Sequence, residues 1–144
     1  MDQTDIKILN ILQENCKTTT REIGRQVGLT APAVSERVAR LKETGAIQAF
    51  RAKLDPAMLG KKLSAYITVN VPPESYTAFC AFALENPAIT EHHHIIGPNN
   101  ALLKIEVTDS EELERQLCEI RKFGLSQTAV RLKTYFDQKP YLWE

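Results

Sequence analysis

The sequence contains no long apolar run. Across the chain, hydrophobic stretches are broken by charge well short of the ~20 residues that a membrane-spanning helix needs, so no bilayer span is expected. It also lacks the basic start and apolar stretch of an export signal: "MDQTDIKILN" is acidic and already amphipathic, and a cytoplasmic location is expected. Cysteine is sparse and unpaired in pattern. Cys16, Cys80 and Cys118 are odd in number and far apart, with no Cys-x-x-Cys, so neither a zinc site nor a disulfide framework is indicated and the thiols are expected reduced and mostly packed. Net charge is absent as well, at +0, which removes any overall attraction to a polyanion or a membrane surface.

What is present is a core-forming supply of 43% hydrophobic residues in 144, enough for one medium domain or two small ones. The neutral total hides an asymmetry. Residues 1–53 carry nine Lys/Arg against six Asp/Glu, and 54–144 carry nine against twelve, so the halves differ in sign. From Lys17 to Lys42 there are six bases (Lys17, Arg21, Arg25, Arg37, Arg40, Lys42) against Glu22 and Glu36 alone, a segment suited to face phosphate.

The first element places Ile6, Ile8, Leu9, Ile11 and Leu12 mostly on one helical face behind Asp2, Thr4 and Asp5, which suit a helix start; a helix is expected over roughly residues 3–15. "TTRE" at 19–22 reads as a capping box opening a second helix with Ile23 and Val27, stopped by Gly28. Thr30 caps a third, Pro32 is tolerated in its first turn, Val34, Val38 and Leu41 make its inner face, and Gly45 ends it. Three short helices, the last two joined by a tight Gly-containing turn, are the arrangement of a helix-turn-helix module, with Gly24 small where two helices cross.

"AIQAFRAKLD" then leaves the helical period and reads as an extended connector closed at Asp55-Pro56. Beyond it, "LSAYITVNV" alternates as a strand, and Pro72-Pro73 starts a helix bearing Tyr76, Phe79, Cys80 and Ala83. "AITEHHHII" and "ALLKIEVT" are strands around "GPNN", "DSEELERQLCEIRKFG" is a capped helix, and "TAVRLKTYF" is a last strand. The order βαββαβ predicts a ferredoxin-like domain. The expected fold class is therefore α+β: a three-helix helix-turn-helix (winged-helix-like) domain over 1–47, an extended linker over 48–62, and a ferredoxin-like βαββαβ domain over 63–144. One sheet face should be covered by both helices; the apolar side chains of the strands suggest that a second subunit covers the other.

Taken together, "DIKILNILQENCKTTTREIGRQVGLTAPAVSERVARLKETGAI" at 5–47, "LDPAMLG" at 54–60 and "GPNNALLKI" at 97–105 resemble the Lrp/AsnC family of bacterial and archaeal transcription regulators, over essentially the whole chain. The resemblance implies cytoplasmic, nucleoid-associated homodimers, commonly assembled to tetramers or octamers, that bind and often bend double-stranded DNA. It also implies an amino-acid effector sensed between the C-terminal domains, and no cofactor.

For DNA, the start of the third helix should enter the major groove, making Thr30, Pro32, Ala33, Ser35, Glu36, Arg37 and Arg40 candidate base or phosphate contacts, with Thr20, Arg21, Arg25 and Lys42 on the backbone. A dimer would set two such helices about one DNA turn, roughly 34 Å, apart. For an effector, the candidates are Gly97, Asn99, Asn100, Ala101, Leu102 and Thr128. Amino-acid-binding relatives carry an acidic residue near the position of Asn100 to meet the ammonium group; here Asn100 brings no charge and Pro98 removes an amide donor.

His92, His93 and His94 are the remaining oddity. A strand sends His92 and His94 to one face and His93, with Glu91, to the other, so at most two imidazoles could meet one ion and no metal is expected; a pH-sensitive interface is the alternative. Two further functions remain open. One is a ligand-independent architectural protein that wraps DNA. The other is an enzyme like the siroheme decarboxylases that share this fold, for which the histidines are the only foothold; no catalytic set can be assembled and no enzyme is expected.

Overall fold

A computed structural model describes residues 1–141, in two compact units: Met1–Lys53 together with residues 136–141, and Leu54–Tyr135. The C-terminal segment from Phe136, expected with the second domain, thus groups with the first unit. Gln13 holds the backbone of Tyr141 by both ends of its side-chain amide, at 2.6 and 3.2 Å, and Lys53 pairs with Asp137.

The first unit contains α1 (Gln3–Glu14), α2 (Thr20–Val27) and α3 (Ala31–Glu43). A reciprocal capping box starts α1: Asp2 accepts from the Asp5 amide at 2.9 Å and Asp5 from the Asp2 amide at 3.0 Å. The box expected at Thr19 is only half formed. Thr19 Oγ1 accepts from the Glu22 amide at 3.2 Å, but the Glu22 carboxylate turns along the helix to Arg25 at 3.1 Å and Gln26 at 3.2 Å, donors one turn on. Ile8, Leu9, Ile23, Val34 and Leu41 close the core, with Val27, Leu29, Val38 and Ile47 packed at its edge. Among the described residues no strand follows α3 in this unit, so the helices stand without a paired wing.

The connector is not extended throughout. Pro56–Leu59 forms a single 3-10 turn capped by Asp55 and closed by Gly60 at φ 81°. The second unit follows as β1 (Leu63–Asn70), α4 (Tyr76–Glu85), β2 (Ile89–His94), β3 (Ala101–Val107), α5 (Ser110–Arg121) and β4 (Leu125–Val130). The strands form one antiparallel sheet in the order β2-β3-β1-β4. The last strand begins earlier and ends sooner than "TAVRLKTYF" predicts. Arg131 N donates to Ser64 O at 2.8 Å as a final rung, and β1 begins only one residue before Ser64, so the chain runs out of partner.

Ala65, Ile67, Val69, Leu103, Ile105 and Val107 point toward α4 and α5, where Phe79, Ala83, Leu113 and Ile120 seal them. The period of two then leaves the opposite face to Tyr66, Thr68, Leu102, Lys104, Glu106, Glu91 and His93. Most apolar side chains of the strands are thus spent on the helix layer, and the uncovered face mixes these polar groups with Tyr66, Leu102 and, from β4, Leu125.

Candidate nucleic-acid interface and effector hairpin

The turn between α2 and α3 is set by two glycines. Gly28 ends α2 at φ 74°, a left-handed conformation that costs a side-chain-bearing residue about 1–2 kcal/mol. Gly24 is buried, and a Cβ on it would lie 2.4 Å from the carbonyl oxygen of Leu29. It is the backbone of the turn, rather than a crossing helix, that demands glycine there. Leu29 N donates to Gly24 O at 2.9 Å, and Thr30 Oγ1 then caps α3 by accepting from the Ala33 amide at 3.4 Å.

Each residue of α3 turns about 100° from the last. Val34 and Leu41 face the core, so Pro32, Glu36 and Ala39 face directly outward with Ser35 at their flank, and all four are exposed. Thr30 and Lys42 are exposed, and Ala33 is half-buried. On α2, Arg21 and Arg25 are exposed and Thr20 half-buried; the Arg25–Glu22 pair is a weak surface contact that leaves the guanidinium available. The unit therefore leaves Arg21, Arg25, Lys42 and the outward stripe of α3 exposed.

Arg37 and Arg40 are placed differently from the rest. Arg37 donates to Asp5 at 2.8 Å and to Asp2 at 2.7 Å, and Arg40 donates to Asp5 at 3.0 and 3.3 Å, binding α3 to the start of α1. Asp5 is only 1% exposed. Burial works against its ionised form, yet the Asp2 amide and the Arg37 guanidinium outweigh that and hold its carboxyl below the usual carboxylate range. Arg37 holds Asp2 low as well, and the two acids raise the guanidinium in return. A residue three beyond inward-facing Val34 is tilted to the inner edge of the helix, a signal for Arg37 that the sequence already carried.

In the second unit, the hairpin between β2 and β3 is organised by Asn100. Its side chain accepts from Val71 N at 2.9 Å and donates to Val71 O at 2.8 Å, imitating a β-bridge where β1 has ended. Its backbone amide donates to Val69 O, and its carbonyl accepts from Ile95 N at 3.0 Å and from the Tyr76 hydroxyl at 3.3 Å. Every polar group of Asn100 is thus engaged within the fold. Asn99 donates to Thr68 Oγ1 at 3.0 Å on the open face, where half-buried Leu102 also lies opposite Thr68. Gly97 is exposed at the turn and Ala101 is fully buried. Thr128 sits opposite Ile67 and so points to the helix side of the sheet, away from Asn99 and Leu102. The six hairpin candidates do not converge on one cavity within the unit.

The open face carries a polar chain that sequence reasoning missed. Ser64 donates to Glu106, Arg131 donates to Ser64 at 2.6 Å, and Lys104 lies 3.0 Å from Glu91 and 3.9 Å from Glu106. The Lys104 ammonium keeps Glu91 low, helped by His93 at 3.4 Å. The one available signal was alternation, since the two charges of "ALLKIEV", Lys104 and Glu106, lie two residues apart. His92 faces the other way, edge-on to Phe79 at 5.2 Å and near Tyr76 at 6.2 Å, its Nε2 buried without a partner. His94 packs on Tyr76 at 4.9 Å. Burial, then the neighbouring His93 and His94, lower the pKa of His92. Among the described residues no three His, Cys, Asp or Glu side chains converge as metal ligands, and no helix is long and apolar enough to cross a membrane.

Two family models match successive parts of the chain. Residues 1–42 match the AsnC-type helix-turn-helix domain, and residues 64–141 match the Lrp/AsnC ligand binding domain. The chain is 37% identical to an HTH-type transcriptional regulator of Bacillus subtilis, YezC, over 93% of this chain and 95% of the relative. It is 33% identical to the leucine-responsive regulatory protein of Haemophilus influenzae, over 99% of this chain and 82% of the relative. Among solved structures, Bacillus subtilis LrpC superposes with a TM-score of 0.88 at 27% identity, covering 96% of this chain and 99% of that one. A Neisseria meningitidis transcriptional regulator in complex with L-Met superposes with a TM-score of 0.88 at 25% identity, covering 99% and 96%.

Proposed function

Because the chain belongs to the Lrp/AsnC family of transcriptional regulators, we propose that it binds promoter DNA sequence-specifically in the cytoplasm as a homodimer or a higher assembly of dimers, acting by binding rather than catalysis. The observation that carries this reading is the exposed outward stripe of α3, whose Ser35 and Glu36 make no side-chain hydrogen bond among the described residues, in a unit that also exposes Arg21, Arg25 and Lys42. Thr30, Pro32, Ala33, Ser35 and Glu36 meet base edges, while Thr20, Arg21, Arg25 and Lys42 hold phosphates. Arg37 is assigned to the interior of the module. Arg40 keeps donors beyond those given to Asp5 and reaches the backbone. One neutral chain neutralises few phosphates, so two modules on one pseudo-palindromic site supply the affinity.

The test is a mobility-shift assay of the full chain against promoter fragments from its own genome under excess non-specific competitor, with mass measured in solution. Retention of particular fragments by an even-numbered oligomer is expected; a monomer retaining no fragment over competitor would overturn the reading.

The match to a ligand binding domain favours a small effector as a second element of the function. We place it at the open-face end of the hairpin, around Gly97, Asn99 and Leu102, where a subunit contact completes the pocket. Asn100 shapes that turn through Val71 and supplies no charge for an ammonium group. Thermal melts screened over the amino acids test this; no shift with any of them, together with long protected footprints on DNA, supports the architectural role instead.

A further inference from the structure

Neither arginine of α3 lies on the helix's outward stripe. Arg37 and Arg40, the helix's two arginines, are turned to Asp2 and Asp5 of α1. What remains on the outward stripe is Pro32, Ser35, Glu36 and Ala39, and Glu36 is the only charge among them. It lies on the second turn, in the portion of a recognition helix that meets base edges, whereas Lys42 and Glu43 lie at the far end. Glu36 is exposed and, among the described residues, makes neither a hydrogen bond nor a salt bridge. Glu22, by contrast, is held by Arg25 and Gln26.

An unpaired carboxylate carried toward a polyanion is repelled unless it finds a donor there. In the major groove, guanine offers only acceptors, thymine offers an acceptor and a methyl, and adenine sets its N6 donor beside the N7 acceptor, which repels a carboxylate. Cytosine alone presents a donor, its N4 amino group, with no acceptor of its own beside it. We infer that Glu36 is a specificity-determining residue that requires cytosine at one position of each half-site, accepting a hydrogen bond from cytosine N4. The inference rests on the reading of α3 as the recognition helix. It assigns Glu36 a selective part: its repulsion from the other bases rejects wrong sites as much as its hydrogen bond holds the right one.

The test is selection from a random duplex library by the full-length protein, Glu36→Ala and Glu36→Gln, the fold of each variant being checked by circular dichroism. The wild type should select a two-fold-related consensus with cytosine at one position per half-site, by about tenfold to a hundredfold over other bases. Glu36→Ala should lose preference at that position alone and keep the rest of the consensus. Glu36→Gln should move the preference to adenine, whose N6 and N7 suit a carboxamide. If Glu36→Ala retains the wild-type consensus at every position, the inference fails while the DNA-binding reading stands. If the wild type enriches no consensus, both fail.

Discussion

Asp5 and Arg37 lie 2.8 Å apart across 32 residues of sequence, joining the first turn of α1 to the middle of α3. The contact ties α3 to the start of α1, because Asp5 is sealed from solvent and needs its cations. Asp5→Asn is expected to destabilise the first unit by about 2–3 kcal/mol, the range for charged hydrogen bonds lost at a buried group. The same pair gives a pH dependence. The folded-state pKa values of Asp5 and Asp2 are depressed, so their stabilisation is present above the unfolded value near 3.8 and is lost as pH falls through the lower folded values. Urea titrations at neutral and acidic pH should show that loss in the wild type and a weaker one in Asp5→Asn.

Removing phosphate contacts should act differently from disturbing the fold. Arg21→Ala with Arg25→Ala is expected to weaken binding nearly equally across sequences and to flatten the salt dependence by about two phosphate contacts per chain, with the melting temperature unchanged. A steep salt slope retained by the double variant would place the phosphates elsewhere.

Gly24→Ala would set a methyl group against the Leu29 carbonyl, at a separation of 2.4 Å before any relaxation. Neither atom is at the end of a flexible side chain, so the turn must open. A loss of about 1–3 kcal/mol and a fall in DNA affinity are expected together, whereas Gly28→Ala, strained only through its φ, should cost about 1–2 kcal/mol. Chemical denaturation of the two variants checks the order.

Asn100→Asp restores the acid that an amino-acid sensor would carry, yet it deletes the donor to Val71 O and leaves a carboxylate against a carbonyl. It is expected to destabilise the second unit by about 1–3 kcal/mol. If Asn100→Asp instead melts at or above the wild-type temperature, the bridge to Val71 is dispensable.

His92 supplies a second pH effect of calculable sign. Its folded pKa lies below the ordinary 6.5, so the unfolded chain binds the proton more readily and stability is lost as pH falls from 6.5 through the folded value. His92→Phe, which keeps the ring against Phe79 and removes the unpartnered nitrogen, should flatten the melting temperature between about pH 7 and 5. An equal slope in both proteins would assign the effect to other groups.

Much of this architecture is encoded at short range. Thr19, Thr30 and Asp109 announce helix starts because a cap is a contact across three residues, and Gly28 announces the turn through its own φ. Strand alternation in "LSAYITVN" and "ALLKIEV" assigns the core face of the sheet. Where expectation and structure part, the missing information was a partner distant in sequence. The end of β4 depended on where β1 begins, and the grouping of the two sheet faces on a register shared by four strands.

The histidine run and the arginines of α3 make the same division. Alternation alone sent His93 to one face with Glu91 and His92 and His94 to the other, and the structure keeps that arrangement. The sequence by itself determined the elements, their order and the family to which they point, because caps, turns and periodicities act within a few residues. Tertiary structure decided which polar groups are still free to act. Asp5 consumes Arg37 and part of Arg40, Val71 consumes Asn100, and Glu36 is left unpaired among the described residues, since a hydrogen bond between residues some thirty positions apart exists only once the chain has folded.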